Sequence, residues 1–167
     1  MDVRVGLGFD VHAFGGDDPL VLGGITIPGA PGLVGHSDAD VVAHAVADAL
    51  LGAAGLPDLG TLFPATDDQY RGASSIALLG EVAARVDGAG WRVGNVDVVI
   101  AAEQPRLGEH IDAMATLLGS TIGGAVSVKP KRTEGVGAVG RGEGIAAWAV
   151  ALLLDRHSDT RESNANA

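Results

Sequence analysis

The chain has 167 residues, a formal net charge of −10, no cysteine and an aromatic content of 4%. This length suits one domain, and the acidity argues against nucleic acid or an anionic membrane as the main partner, because both require a basic face. The lack of cysteine excludes disulfides, thiolate zinc sites and cysteine nucleophiles.

The sequence shows neither a membrane-spanning nor a secretory signal pattern. No run approaches the ~18 consecutive apolar residues of a membrane span, and the N-terminus does not resemble a signal peptide. We therefore expect a cytoplasmic protein with a single domain over residues 1–156 and a polar, disordered tail over residues 157–167.

The first predicted strand covers residues 3–9 and ends in the Asp-Val-His run that starts at Asp10. Residues two apart in an extended chain point the same way, so Asp10 and His12 are expected to project together from the end of the strand. Residues 19–28 then predict two short strands around a Gly-Gly pair.

A Gly/Pro-rich loop over residues 29–35 leads to the longest helical pattern of the sequence. Ser37 or Asp38 is the expected N-cap of this helix. The helix should end near Ala54, because Gly55 is a typical C-terminal stop.

Three polar residues follow one another at spacings of four in this helix, namely Asp40, His44 and Asp48. That spacing places them on one helical face, in a segment otherwise made of Ala, Val and Leu. A ligating histidine usually donates a hydrogen bond from its second nitrogen to a carboxylate or carbonyl, so Asp40 and Asp48 are expected to be partners of His44 or structural residues.

The rest of the chain follows the same periodicities. The pattern predicts a loop over residues 57–68, a helix over 75–87 capped by Ser74 or Ser75, a strand over 91–102, a helix over 108–119, a strand over 125–129 and a last element over 143–154. In that last element Trp148, Val150 and Leu152 alternate with small residues, which favours a strand over a helix.

Asp10, His12 and His44 can form a three-ligand zinc site. One carboxylate and two imidazoles are ligands that zinc accepts, and three protein ligands leave a fourth position open, as in catalytic zinc sites. The alternative is that Asp10 and His12 cap a loop while His44 is a satisfied core histidine.

Two further stretches are candidate ligand-binding sites. His36-Ser37 lies at a helix start, where backbone amides bind anions, and Asp58 in the following loop could bind the hydroxyls of a polyol. The same loop contains Gly60, Phe63 and Asp67, and ordinary capping and turn formation is the favoured explanation of each motif taken alone.

A basic cluster, Lys129-Pro-Lys-Arg-Thr-Glu134, stands out in this acidic sequence. Its cations could hold a phosphate, and Glu134 could bind a hard metal ion shared with that phosphate. A solvated strand end is the alternative.

The Gly135–Gly140 run matches the dinucleotide fingerprint G-x-G-x-x-G, but too little chain follows for the required helix and parallel strand, so a turn is expected there.

Several motifs together resemble the 2-C-methyl-D-erythritol 2,4-cyclodiphosphate synthase family, and the resemblance extends from about Arg4 to Leu154. The motifs, in chain order, are Gly8-Phe-Asp-Val-His12, Leu22-Gly-Gly-Ile25, His36-Ser-Asp-Ala-Asp40 with His44, Asp48-Ala-Leu-Leu-Gly52, Asp58-Leu-Gly60 with Leu62-Phe-Pro64, Gly94-Asn-Val-Asp97 and Gly140-Arg-Gly-Glu-Gly144.

The resemblance implies an α/β (α+β) fold that assembles as a homotrimer with active sites between subunits. It implies a four-stranded mixed sheet with helices on one face, in the core order β-α-β-α-β-β with an inserted hairpin and helix. The sheets would face the trimer centre. The implied reaction converts 4-diphosphocytidyl-2-C-methyl-D-erythritol 2-phosphate to the cyclic diphosphate and CMP, in non-mevalonate isoprenoid precursor biosynthesis.

The resemblance also assigns roles to residues. Asp10, His12 and His44 would hold one Zn²⁺ per subunit, and Glu134 would hold Mg²⁺ or Mn²⁺ bridging the substrate diphosphate. The implied substrate contacts are His36 and Ser37 to phosphate, Asp58 and Gly60 to the erythritol, Phe63 and Asp67 in the same loop, Ala102, Pro105, Arg106, Lys131, Arg132 and Thr133 around the cytidine, and Arg141 with Glu143 in the closing signature.

The sequence departs from the family pattern at three places. Lys131-Arg132-Thr133 replaces a common run of threonines, Ala65 replaces a usual aspartate, and Ala138 replaces a usual phenylalanine near the trimer axis. A zinc phosphohydrolase or a non-catalytic trimeric metal-binding module would use the same three ligands, so both classes remain open from the sequence.

Overall fold

The longest strand, β1 (Val3–Gly16), lies antiparallel to β7 (Gly144–Asp155) in the computed structural model. β7 also pairs antiparallel with β5 (Trp91–Ala101), and β5 pairs in parallel with β6 (Ala125–Lys131). A two-residue strand, β4 (Gly32–Leu33), pairs with the other edge of β1. The result is a five-stranded mixed sheet in the order β4-β1-β7-β5-β6.

The structure describes residues 2–156, so the predicted tail over residues 157–167 lies outside the described residues. The other elements are the hairpin strands β2 (Val21–Leu22) and β3 (Ile25–Thr26), the helices α1 (Val41–Ala54), α2 (Leu59–Leu62), α3 (Ser75–Gly88), α4 (Ile111–Ile122) and α5 (Gly137–Gly140), and 3-10 turns at Asp68–Tyr70 and Gly108–His110. No helix among residues 2–156 is long and apolar enough to cross a bilayer.

The predicted order of elements is confirmed, with corrections to their extent. The sheet has five strands instead of four, because the loop after the hairpin forms β4 beside β1. β1 continues to Gly16, so Asp10 and His12 lie inside the strand and not at its end. The last element is a strand, and residues 137–140 form a single helical turn, both as predicted.

Two glycines allow α1 to pack directly on β1. A Cβ atom at Gly6 would lie 2.0 Å from the carbonyl oxygen of Ala49, and one at Gly8 would lie 1.9 Å from that of Ala45. Both distances are far below van der Waals contact, so only glycine fits between strand and helix. The main hydrophobic core lies on this side of the sheet, beneath α1, α3 and α4.

Asp40 is the N-cap of α1, so the prediction of Ser37 or Asp38 was wrong. Its buried carboxylate accepts hydrogen bonds from the backbone N–H groups of Val42 and Ala43 and from those of Gly23 and Gly24 in the hairpin turn. Burial raises the pKa of Asp40, and these N–H donors oppose the rise because they favour the charged form. The helix ends at Gly55 in the left-handed conformation, as predicted.

The other face of the sheet is apolar and uncovered along β1 and β7. Along β1 it exposes Val3, Val5, Leu7, Phe9 and Val11, which are 49–67% exposed, and β7 adds Trp148 and Val150. Phe9 and Trp148 are cross-strand partners, with ring centroids 5.0 Å apart. A contiguous apolar surface of this kind is typical of a protein interface.

We expect Gly8→Ala to destabilise the fold by about 3 kcal/mol or more, because the added Cβ overlaps the α1 backbone. The matched control is Gly52→Ala in the same helix, where a Cβ meets no neighbour. This control should be stabilising by about 0.5–1 kcal/mol. Urea unfolding of both variants tests the prediction, and equal midpoints would contradict it.

Candidate metal and ligand site

β1 and α1 bring Asp10, His12 and His44 together. Asp10 and His12 lie on the same side of β1 as Gly6 and Gly8, which is the side that α1 covers. His44 lies in α1 next to Ala45, whose carbonyl faces Gly8. One ligand atom from each of the three side chains lies within 4.8 Å of the others. Within residues 2–156, no other set of three His, Cys, Asp or Glu side chains meets this distance criterion.

The distances within this cluster suit a small divalent ion. Asp10 Oδ2 lies 2.9 Å from His44 Nδ1 and 3.2 Å from His12 Nε2. The two imidazole rings are tilted, with centroids 5.7 Å apart. Two nitrogen donors and one carboxylate oxygen form a ligand set typical of zinc, so the residues present fit this metal.

The second nitrogen of His12 has a defined partner. His12 Nδ1 lies 2.5 Å from the carbonyl oxygen of Val34 in the segment after β4, and that oxygen can only accept a hydrogen bond. Nδ1 therefore carries the proton, and in the neutral ring Nε2 keeps the lone pair that a metal requires.

The second nitrogen of His44 has serine partners instead of aspartates. His44 Nε2 lies 2.8 Å from Ser75 Oγ and 3.1 Å from Ser37 Oγ. Asp48 accepts from the backbone N–H of Leu59, and Asp40 caps α1. Of the two roles predicted for Asp40 and Asp48, partner of His44 or structural residue, the structural role is confirmed, because both carboxylates hold the backbone in place.

The charges in the cluster are mutually stabilising. Burial alone would raise the pKa of Asp10, but hydrogen bonds to His12 and His44 and the charges of both rings hold it well below its usual range. The Asp10 carboxylate in turn raises the pKa of His12, against the effect of burial. Asp10 is thus an ionised ligand, and a metal must compete with protons at His12.

A cavity of about 210 Å³ opens above the cluster. It brings together four of the predicted ligand-binding residues with His12 and His44, namely His36, Ser37, Gly60 and Phe63. Leu59, Ala65, Tyr70 and Leu78 complete the lining. Tyr70 was not predicted as a site residue. Its ring packs edge-on against the ring of Phe63, with centroids 5.3 Å apart.

Asp58 and Asp67 border this cavity without lining it. Asp58 is the N-cap of α2 and accepts from the backbone N–H of Thr61 at 2.7 Å. Asp67 caps the following 3-10 turn, and its carbonyl oxygen lies 3.3 Å from His36 Nε2. Their visible roles are capping and support of the loop.

A second cavity, of about 460 Å³, collects most of the remaining predicted residues. Ala102, Pro105, Arg106, Lys131 and Arg132 line it, together with Glu103 and the start of the 3-10 turn at Gly108–His110. The carboxylate of Glu103 accepts from Arg132 Nη2 at 2.7 Å, and this hydrogen bond lowers the pKa of Glu103. The second cavity shares no lining residue with the cavity above the cluster.

Thr133, Glu134 and Arg141 also lie outside both cavities. Thr133 donates its backbone N–H to Glu103 at 3.1 Å, and Glu134 follows in an exposed turn with a φ of 53°. Arg141 forms an ion pair with Glu143 at 2.6 Å and lines a third cavity of about 550 Å³. Within the described chain, Glu134 is not part of the Asp10–His12–His44 group.

Comparison with known proteins gives consistent matches. A family model described as the YgbB family matches residues 3–154. A Pasteurella multocida protein named 2-C-methyl-D-erythritol 2,4-cyclodiphosphate synthase is 51% identical over 155 residues, covering 91% of this chain and 98% of that protein. A protein of the same name from Moorella thermoacetica is 52% identical over 159 residues, covering 93% and 98%.

Solved structures show the same fold. The bifunctional IspDF of Campylobacter jejuni has a TM-score of 0.88 at 39% identity, covering 93% of this chain and 43% of that longer chain. A Plasmodium falciparum IspF solved as a CDP complex has a TM-score of 0.79 at 28% identity, covering 92% and 97%.

We expect His44→Ala to abolish stoichiometric zinc binding, because it removes one of three ligands and leaves two at the cluster. His110→Ala is the control, since His110 lies in a 3-10 turn outside the cluster. Metal analysis after zinc loading and gel filtration gives the readout. One zinc per chain retained in His44→Ala would refute the ligand assignment.

Proposed function

The chain belongs to the YgbB family, and on that premise we propose that it catalyses the reaction named by its relatives, the synthesis of 2-C-methyl-D-erythritol 2,4-cyclodiphosphate. The substrate is 4-diphosphocytidyl-2-C-methyl-D-erythritol 2-phosphate, and CMP is the second product. The enzyme is a phosphorus–oxygen lyase of non-mevalonate isoprenoid biosynthesis. The observation that carries the proposal is the three-ligand cluster beside a cavity that His12 and His44 line.

The proposed metal of this cluster is zinc, held by Asp10, His12 and His44, with one ion per chain. When bound, it would supply positive charge to a phosphate oxygen of the substrate at the position that no protein ligand takes. The donor set supports zinc because it combines two imidazole nitrogens with an ionised carboxylate.

The reaction needs no protein nucleophile. An oxygen of the 2-phosphate attacks the β-phosphorus, a new phosphorus–oxygen bond closes the ring, and the bond to the CMP phosphate breaks. The protein's task is to fold the substrate so that the two groups meet. Such positioning can lower a barrier by about 7–11 kcal/mol.

We assign the cavity above the cluster to the erythritol and its phosphates. Ser37 lies beside His44 and, with His36, faces the cavity, so both can donate hydrogen bonds to phosphate. Gly60 lines the cavity next to Asp58, whose carboxylate can accept from the erythritol hydroxyls. Phe63 forms an apolar wall, and Asp67 supports His36.

We assign the second cavity to the cytidine of the substrate. Its volume of about 460 Å³ suits a nucleoside, and Ala102, Pro105 and Arg106 form one wall. Lys131 and Arg132 offer cations beside it, with Thr133 next in the chain. These cations would replace the threonine hydroxyls usual in the family.

We further propose that Glu134 holds Mg²⁺ or Mn²⁺ at the substrate diphosphate. Its carboxylate is exposed and follows directly after Lys131, Arg132 and Thr133, so a hard metal ion and phosphate oxygens can reach it. Arg141 would lie at the rim of the assembled site. Through its metals, an acidic protein can bind a multiply anionic substrate.

A homotrimer would unite the two cavities, which are separate on one chain. The uncovered apolar face of β1 and β7 supports such an assembly, because it exposes five large side chains of β1 in a row. We therefore propose that each active site combines the metal cavity of one subunit with the second cavity of its neighbour. We also propose a cytoplasmic location and neither nucleic acid nor membrane as partner, in line with the net charge of −10.

A zinc phosphohydrolase and a non-catalytic metal-binding module are less favoured than the synthase. The reason is that relatives with about half of their residues identical, over nearly the whole chain, are named as the synthase. Incubation with the cytidine diphosphate substrate, with and without chelator, separates the three. The proposal expects chelator-sensitive release of CMP without inorganic phosphate. Phosphate release would indicate a phosphohydrolase, and no product would indicate a binding module.

We expect Glu134→Gln to keep zinc but to lose the dependence of CMP release on magnesium, because the amide is a poor ligand for a hard ion. Glu81→Gln on the exposed side of α3 is the matched control. Activity measured across a magnesium titration checks this prediction. An unchanged magnesium response in Glu134→Gln would count against a metal at Glu134.

We expect Leu7→Glu to yield monomers that release little CMP, because it places a charge in the centre of the apolar sheet face. Leu7 is 67% exposed in the single chain. Ala113→Glu, on the exposed side of α4, should remain trimeric. Light scattering after gel filtration measures the mass, and a trimeric Leu7→Glu would argue against this face as the interface.

A further inference from the structure

We propose that Ser75, oriented by Asp38, is a positioning residue that fixes the His44 ring so that its Nδ1 lone pair can bind the metal ion held together with Asp10. This inference rests on the proposed metal-dependent function and deepens it. Asp38, in the loop before α1, and Ser75, at the start of α3, would support the metal ligand His44 without binding the metal themselves.

The His44 ring lies between two partners, Asp10 and Ser75. Its Nδ1 lies 2.9 Å from Asp10 Oδ2, and its Nε2, on the opposite edge of the ring, lies 2.8 Å from Ser75 Oγ. Ser75 is only 2% exposed, so water does not take the place of its hydroxyl. The ring is therefore held at both edges by the protein.

The two hydrogen bonds of the Ser75 hydroxyl have defined directions. Ser75 Oγ donates to Asp38 Oδ1, because an ionised carboxylate can only accept. The lone pairs of Ser75 Oγ are then left for His44, so Nε2 must be the N–H donor. In the metal-bound form the imidazole is neutral and has a single N–H, so Nδ1 offers its lone pair to the metal instead of a hydrogen bond to Asp10.

The Ser75 hydroxyl is not needed to cap α3. Asp38 Oδ2 accepts from the backbone N–H of Ser75 at 2.9 Å, a bond that does not involve the hydroxyl. The N-cap of α3 is Ser74, whose side chain accepts from Ala77 N–H. The start of α3 therefore does not require Ser75 Oγ, whereas His44 does. Ser37 Oγ is the farther partner of Nε2, at 3.1 Å.

The test compares Ser75→Ala with Ser74→Ala and Ser75→Thr. Zinc affinity is measured on metal-free protein by competition with a chromophoric chelator, and cobalt loading gives an absorption spectrum of the metal geometry. Loss of a hydrogen-bond partner behind a ligating histidine typically costs 10–100-fold in metal affinity. We expect that loss, with an altered cobalt spectrum, in Ser75→Ala, and neither change in Ser74→Ala or Ser75→Thr.

The outcomes are distinct. Parental zinc affinity in Ser75→Ala, or an equal loss in Ser74→Ala, would overturn the positioning role while leaving the metal site intact. A Ser75→Ala chain that does not fold would also overturn it, because the hydroxyl would then serve the fold itself. Failure of the parent protein to bind one zinc would overturn the proposed metal site together with this inference.

Discussion

The close approach of α1 to β1 determines the rest of the structure. The carbonyl of Ala45 leaves no room for a Cβ at position 8, so only Gly8 lets the helix backbone pack directly on the strand. His44 is the neighbour of Ala45, and Asp10 is the next residue of β1 on the same side as Gly8. Backbone packing therefore sets the distance of 2.9 Å between the His44 and Asp10 side chains. A metal site built on two packed elements is more rigid than one built on loops.

Electrostatics explains how so acidic a chain can serve a phosphorylated substrate. The Asp10 charge is balanced by two imidazoles, the buried Asp40 by backbone N–H groups, and Glu103 by Arg132. Each of these carboxylates is used to hold a ligand, a helix start or a cation in place. The substrate would then meet metal ions and directed donors instead of bare carboxylates.

Much of this arrangement could be predicted from local sequence. The period-two spacing of Asp10 and His12 and the helical position of His44 indicated the cluster, and Gly55 marked the end of α1. Other features depend on distant contacts that no local pattern records. Ser75 meets His44 only because α3 starts beside the cluster, and Asp40 caps the helix because the hairpin turn adds two further N–H donors. Likewise, β4 forms only because β1 continues past His12 and offers it an edge.

Crystallographic anomalous scattering at the zinc absorption edge tests the central claim most directly. The account predicts one zinc peak per chain, bound by Asp10, by His12 through Nε2 and by His44 through Nδ1, with one coordination position free of protein atoms. A peak located elsewhere, or a fourth protein ligand that closes the coordination sphere, would contradict it.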